Sequence, residues 1–262
     1  MNTANNLHVC LVHENSGVVV DLINNLKRLD PSSDILIYTG KQLSIPEFFA
    51  KDCIIYPEPR EVQWGHLGHF VFDCLEFMLT GSWKCITIVD SDQLLMKTNY
   101  SSWVASNISK YDVITSRIAY EPSQCSKPLV DFIDSCSKTP EVTEAFGRPT
   151  EEAFCSCFNP GTVYSRKLAE KATEKLSHNL IQKLIDNGAY AEEEPIFITL
   201  ARSFDMPILD CAAEHMIRWV EYWSEADVFE NLGDRYWVHP IKREINDPAR
   251  KVIRDYSKTG NF

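Results

Sequence analysis

The sequence predicts an α/β fold, a mostly parallel central sheet with helices on both faces. Short apolar runs of strand length alternate with longer segments whose apolar residues recur at helical spacing. The runs stop at Gly, Pro or Asp rather than continuing. The chain has 262 residues, 44% of them hydrophobic and 24% charged, which is enough apolar material for one large core.

Leu7 to Val12 is the first apolar run. The polar stretch His13-Glu14-Asn15-Ser16-Gly17 follows it, and then VVVDLINNLKRL, so strand, loop and helix come in that order. Asp34 to Tyr38 is a second strand closed by Thr39-Gly40, and Cys53 to Tyr56 a third, stopped by Pro57 and Pro59. Leu67, Phe70, Val71, Cys74, Leu75 and Met78 keep one helix face apolar until Gly81, and CITIV, Cys85 to Val89, is the next strand. In the second half Asp112 to Ile118 reads as a strand and Thr139 to Glu152 as a Pro- and charge-rich connector. Cys157 to Tyr164 leads into a helix from Arg166 to Leu176, and a further helix, Asn179 to Asp186, ends at Asn187-Gly188. There is no internal repeat or low-complexity tract, so one domain over 1–262 is expected.

A formal net charge of −11 and the absence of a dense basic run argue against nucleic acid or an anionic membrane as partner. The nine cysteines lie mostly inside apolar segments, where a reduced thiol packs as a small hydrophobe. Cys155-Ser156-Cys157 lacks the second pair a zinc site needs. No run approaches the roughly 20 apolar residues of a membrane span, and the first residues lack a basic segment followed by a long apolar one. A cytoplasmic protein is expected.

The chemistry starts at VDSDQLL, Val89 to Leu95, where an apolar strand ends in Asp90 and Asp92. Ligands of open α/β sheets sit beyond the carboxyl ends of the strands. Alternation points both carboxylates the same way, toward a hard cation and, through it, a diphosphate leaving group. Two solvated turn residues would give the same pattern, so other stretches must decide. They are Gln63-Trp64-Gly65-His66, then Glu192-Glu193-Glu194 at the start of an apolar helical pattern reaching Phe204, and Tyr236 to Lys242, YWVHPIK. Each also reads as ordinary structure: a packed Trp with a Gly turn, acidic residues favoured at a helix start, a surface loop. Crowded glutamates raise one another's pKa, which suits a base. His13, Glu14 and Asn15 end the first strand, where a base or ribose would lie, and Asn159-Pro160-Gly161 is a turn with room at Gly161. Trp219, Tyr222 and Trp223 stand at i, i+3 and i+4, which favours a core stripe over a sugar platform, whereas Trp237 beside His239 is the better acceptor candidate.

Taken in order, these motifs resemble the GT-A class of nucleotide-sugar-dependent glycosyltransferases, over about residues 7 to 245. The resemblance implies a GT-A-like fold, with 1–100 binding the nucleotide sugar and 101–262 binding the acceptor and carrying catalysis. It implies a divalent cation, Mn2+ or Mg2+, on Asp90, Asp92 and His239, and a donor held by His13, Glu14, Asn15, Trp64, Gly65, Asp90, Ser91 and Lys242. Gly161 and Trp237 would face the acceptor. Trp64-Gly65 and Glu193-Glu194, with Phe197, Thr199 and Leu200, are similar to the core-2 and xylosyltransferase branch. On that mapping Glu194 is the catalytic base and Glu193 replaces an aspartate. That branch typically lacks a working DxD, so the chain combines features of two subgroups. The implied activity is transfer of a hexose-type sugar, with UDP favoured as carrier, to a hydroxyl of a glycan, lipid-linked or small-molecule acceptor, with inversion. Other readings are a haloacid-dehalogenase-like phosphatase using Asp90 and Asp92, in which Gln93 stands where Thr is wanted, a nucleotidyltransferase, and a catalytically silent GT-A binding module. The segment from Val238 onward is expected to close over the donor.

Overall fold

A computed structural model describes residues 5–13, 16–40, 51–120, 127–147, 149 and 151–259, so Glu14 and Asn15 of the first loop lie outside the described residues. The first half runs β1 (Asn6–Val12), α1 (Ser16–Leu29), β2 (Asp34–Thr39), β3 (Ile54–Ile55), α2 (Gly68–Thr80), β4 (Cys85–Asp90), β5 (Leu94–Leu95) and α3 (Tyr100–Ile108). Next come β6 (Val113–Ala119), α4 (Lys127–Lys138), α5 (Pro140–Ala145), β7 (Ser156–Ser165), α6 (Arg166–Lys175), α7 (His178–Asp186) and α8 (Glu193–Ser203). The chain finishes with β8 (Ile208–Asp210), β9 (Met216–Ile217), α9 (Glu225–Asn231), β10 (Trp237–His239) and α10 (Pro248–Thr259).

The expected α/β architecture, a mostly parallel sheet with helices on both faces, is the one observed. A seven-stranded sheet has the order β3-β2-β1-β4-β7-β6-β8. Only β7 runs against its neighbours, pairing antiparallel with both β4 and β6. Period-two alternation decides the layers. In β1, Leu7, Val9 and Leu11 join one core, with α2, α4, α6, α7 and α8. Cys10 and Val12 face the other, with α1, α3, α9 and α10. Strand order reverses at β1 and β4, which puts a crevice beyond their carboxyl ends. Leu11 is opposite Asp90 there.

A second sheet, β5-β10-β9, lies just past that edge. Trp237 pairs with Leu95 and Val238 with Leu94, so the register carries His239 back to the aspartates. The late segment is therefore core rather than a closing flap: Trp237, Val238 and Ile241 are fully buried. Two further expectations are corrected. The connector from Thr139 to Glu152 contains α5, because Pro140 at the first helical turn starts a helix at no cost in hydrogen bonds. Trp219, Tyr222 and Trp223 form no helical stripe. They follow β9 in an irregular loop, with Trp219 and Tyr222 about half exposed.

Candidate active site

β4 delivers Asp90 to the sheet edge, and a tight turn follows in which Gln93 N–H donates to the Asp90 carbonyl (3.1 Å). Asp90 Oδ1 accepts from the Ser91 amide (2.7 Å) and hydroxyl (3.3 Å). Ser91 and Gln93 are fully buried, Asp92 nearly so. The Ile241 N–H donates to the Asp92 carbonyl (2.9 Å), which ties the late segment to this turn.

His239 completes the cluster. Its Nδ1 lies 3.2 Å from the Arg218 carbonyl, which can only accept, so that nitrogen carries the proton. In the neutral form of the ring the Nε2 lone pair then faces Asp92 Oδ1, 3.1 Å away. That oxygen is buried and has no hydrogen-bond partner. A lone pair against an anionic oxygen is repulsive unless a proton or a cation lies between them. Asp90, Asp92 and His239 offer ligand atoms all within 4.8 Å of one another. The set of two carboxylates and an oriented imidazole fits a divalent cation.

Arg243 was not anticipated. Its Nη2 reaches both Asp90 Oδ1 and Asp92 Oδ2 at 3.2 Å, while Lys242 beside it is exposed. The only sequence signal was a second cation in the run Lys242-Arg243. With no cation between them, a second proton on His239, together with Arg243, outweighs the burial that raises the Asp92 carboxyl and holds the group below its ordinary range. Behind the cluster sits Arg250, wholly buried, donating to the carbonyls of Ser91 and Lys242 and paired with Asp21 of α1.

A second group gathers where α8 meets α2. Glu192 Oε1 accepts from the Gly68 amide (2.9 Å) and its Oε2 lies 3.1 Å from His66 Nδ1. Glu193 Oε2 accepts from the Leu67 amide (3.2 Å). These two carboxylates cap the start of α2 from across the core, satisfying amides that have no partner inside the helix. Gly68 permits it, since a Cβ there would stand 3.0 Å from the Glu192 side chain. Glu194 makes no side-chain hydrogen bond among the described residues, and burial, with Glu193 adding, pushes its carboxyl up to about 8. Burial is the larger cause, whereas the sequence suggested crowding of charge. Glu192 and Glu193 are also pushed up, again by burial first.

β7 links the two groups. It runs antiparallel to β4, so its first residues lie at the carboxyl edge of β4. There the Cys157 thiol contacts the Glu194 carbonyl (3.7 Å), and the next residue, Phe158, has its ring 5.2 Å from that of His239.

The remaining site residues fall as follows. His13 is exposed just past β1, on the crevice side of Asp90. Trp64 and Gly65 lie with the glutamates rather than the aspartates: the Gly65 carbonyl accepts from Ala191 N–H, and Trp64, 83% exposed, stacks edge-on to Tyr190. Trp237 is corrected. It is fully buried against His8 and Tyr100 and has no face for a sugar. Gly161 is buried inside β7, where its missing Cβ makes room for Gln93 and Ile217 rather than for an acceptor. A cavity of about 470 Å³, lined by Asn6, Lys84, Tyr111 and Lys167, opens at the opposite, amino end of β1 and β4.

No family model matches the chain, and no curated protein matches it. Solved structures do. The galactosyltransferase LgtC, in complex with donor and acceptor sugar analogs, is 9% identical, with 95% of this chain and 83% of that one covered and a TM-score of 0.47. The glycosyltransferase GlyE of Streptococcus pneumoniae is 13% identical over 97% of this chain and 60% of its own, at 0.49. TarS of S. aureus, residues 1–349, is 11% identical over 79% of this chain, at 0.44, and the chain spans 58% of its length. At these identities the likeness concerns the fold alone. No helix among the described residues is long and apolar enough to cross a membrane.

Proposed function

We propose that the chain transfers a hexose-type sugar from a nucleoside diphosphate, UDP in the first instance, to a hydroxyl of a glycan, lipid-linked or small-molecule acceptor. Asp90, Asp92 and His239 would hold Mn2+ or Mg2+, which when bound neutralises the diphosphate as it leaves. The observation that carries this reading is the buried, unpartnered Asp92 Oδ1 facing the His239 lone pair at the carboxyl end of β4. Arg243 and Lys242 add positive charge for the departing diphosphate. Glu194 is the base: it takes the proton of the acceptor hydroxyl, whose oxygen bonds to the anomeric carbon as the bond to the diphosphate breaks. Attack opposite the leaving group inverts the anomeric centre. Glu192 and Glu193 hold α2 and do not react.

The test is thermal unfolding with UDP in the presence and absence of Mn2+. A ligand bound only by the folded state raises its stability by linkage. Manganese-dependent stabilisation by UDP, lost in Asp92→Asn, is expected. Equal stabilisation of both proteins with or without the metal, or a phosphoryl group trapped on Asp90, would defeat the reading.

A further inference from the structure

Another group of ligand-type side chains lies on the outer side of α2, where it meets α7. His69, Asp73 and Glu76 recur at helical spacing on one face of α2. His178 is the first residue of α7, fixed there by Ser177, whose hydroxyl accepts from the Leu180 amide. Asp73, Glu76 and His178 offer ligand atoms within 4.8 Å of one another.

Counting protons shows what this group lacks. Gln182 Nε2 donates to the Asp186 carboxylate (2.9 Å), which can only accept, so the amide oxygen of Gln182 must face His69. His69 Nε2, 3.2 Å from that oxygen, therefore carries a proton. A neutral His69 then accepts at Nδ1, so the proton in the 2.9 Å contact between the two Nδ1 atoms belongs to His178. A neutral His178 is left with a bare Nε2 lone pair, aimed at Asp73 Oδ1 (3.0 Å) and Glu76 Oε2 (3.6 Å). With both rings neutral, a lone pair and two carboxylates converge with no imidazole proton between them. Adjacent ligands of a tetrahedral zinc, with bonds near 2.0–2.1 Å, lie about 3.3 Å apart, between those two distances.

We infer that Asp73, Glu76 and His178 bind a divalent transition-metal ion of the zinc type, with His69 orienting His178 from behind. The surroundings are those of a supported metal site. His178 donates its one ring N–H, at Nδ1, to His69, and the Tyr38 hydroxyl donates to the other oxygen of Asp73 (2.7 Å). Arg60 Nε lies 3.3 Å from Asp73 Oδ1 and has to yield that oxygen. Its side chain is half exposed and free to turn outward. Solvent reaches Glu76 and His178, so the ion has a way in. Bound there, it would fasten α7 to α2, the helix whose first amides Glu192 and Glu193 hold.

The test uses Zn2+ alone on metal-stripped protein in an Asp92→Asn background, which silences the first cluster. Zinc should raise the unfolding temperature with a stoichiometry of one. His178→Ala and Glu76→Gln, both at partly exposed positions, should each abolish that rise without lowering the metal-free unfolding temperature by as much. His69→Ala should weaken zinc binding roughly 10- to 100-fold, the effect of removing an orienting partner. Co2+ should give the visible absorption of a four-coordinate site, lost with His178. No zinc-dependent rise in the Asp92→Asn protein, or a rise that survives His178→Ala, overturns the inference and leaves His69 and His178 sharing an extra proton instead.

Discussion

Glu194 differs from its two neighbours in having no hydrogen-bonding task among the described residues, and that difference is what a substitution can read. Glu194→Gln keeps the volume and removes the proposed base, so sugar transfer should fall roughly 100-fold or more while UDP binding persists. Because burial pushes its carboxyl up to about 8, kcat/KM should climb with pH until about that value and level off, and the climb should vanish in the variant. Glu193→Gln should be milder, since an amide oxygen still accepts from Leu67. A product that keeps the donor's anomeric configuration would refute the inverting assignment. Arg243 touches both aspartates and Lys242 neither, so Arg243→Ala should weaken UDP binding more than Lys242→Ala. Equal losses would return the diphosphate contact to Lys242.

At the scale of elements, the site depends on α10 and on the turn before α2. Arg250 of α10 spans Asp21 and the carbonyls of Ser91 and Lys242, so it joins α1, the aspartate turn and the late segment. Arg250→Met leaves Asp21 buried beside only Arg254, which also pairs with it, and removes donors from two carbonyls. A loss of about 3–5 kcal/mol, the cost of breaking a buried pair, is expected in urea unfolding. A loss below about 1 kcal/mol, as for a surface pair, would mean that Arg254 and solvent replace it. Gly65 sits at φ +81°, and a Cβ there would stand 2.3 Å from the Tyr190 ring. Gly65→Ala should therefore cost about 1–3 kcal/mol. It should also disturb the glutamates more than the aspartates, lowering turnover with little change in UDP affinity.

For the whole molecule, the buried carboxyls set the pH range of greatest stability. Glu194 has a folded pKa of about 8 against an ordinary 4.5, so its contribution is complete below about 4.5 and is lost as pH rises toward 8. Glu192 and Glu193 act in the same direction. Asp30 works oppositely: burial raises it, but His8, Ser101 and Ser33 outweigh burial and hold it at about 2, so its contribution fades as pH falls below 3.8. Unfolding free energy should be highest near pH 5 and decline toward pH 8.5, with the alkaline decline shallower in Glu194→Gln. A stability that does not fall between pH 5 and 8.5 would show that these glutamates are already ionised in the folded protein at pH 5.

The sequence by itself determined the layers and one end of the site. The apolar runs of Leu7–Val12 and Asp34–Tyr38 and the apolar stripe of Leu67–Met78 are local patterns, and they mark strands buried on both faces and the packed face of a helix. Asp90 and Asp92 were legible because they interrupt an apolar run, and the glutamates because three acids open an apolar helix. Tertiary structure decided everything that depends on distant pairing. The antiparallel β7, the small sheet that returns His239 to Asp92, and the burial of Trp237 follow from register between segments roughly 80 to 140 residues apart. No local period encodes that register. The same holds for roles within a motif. Glu192, Glu193 and Glu194 are chemically alike in sequence, and only the amides of Leu67 and Gly68, brought across the core, set Glu192 and Glu193 apart from Glu194, which has no side-chain partner among the described residues.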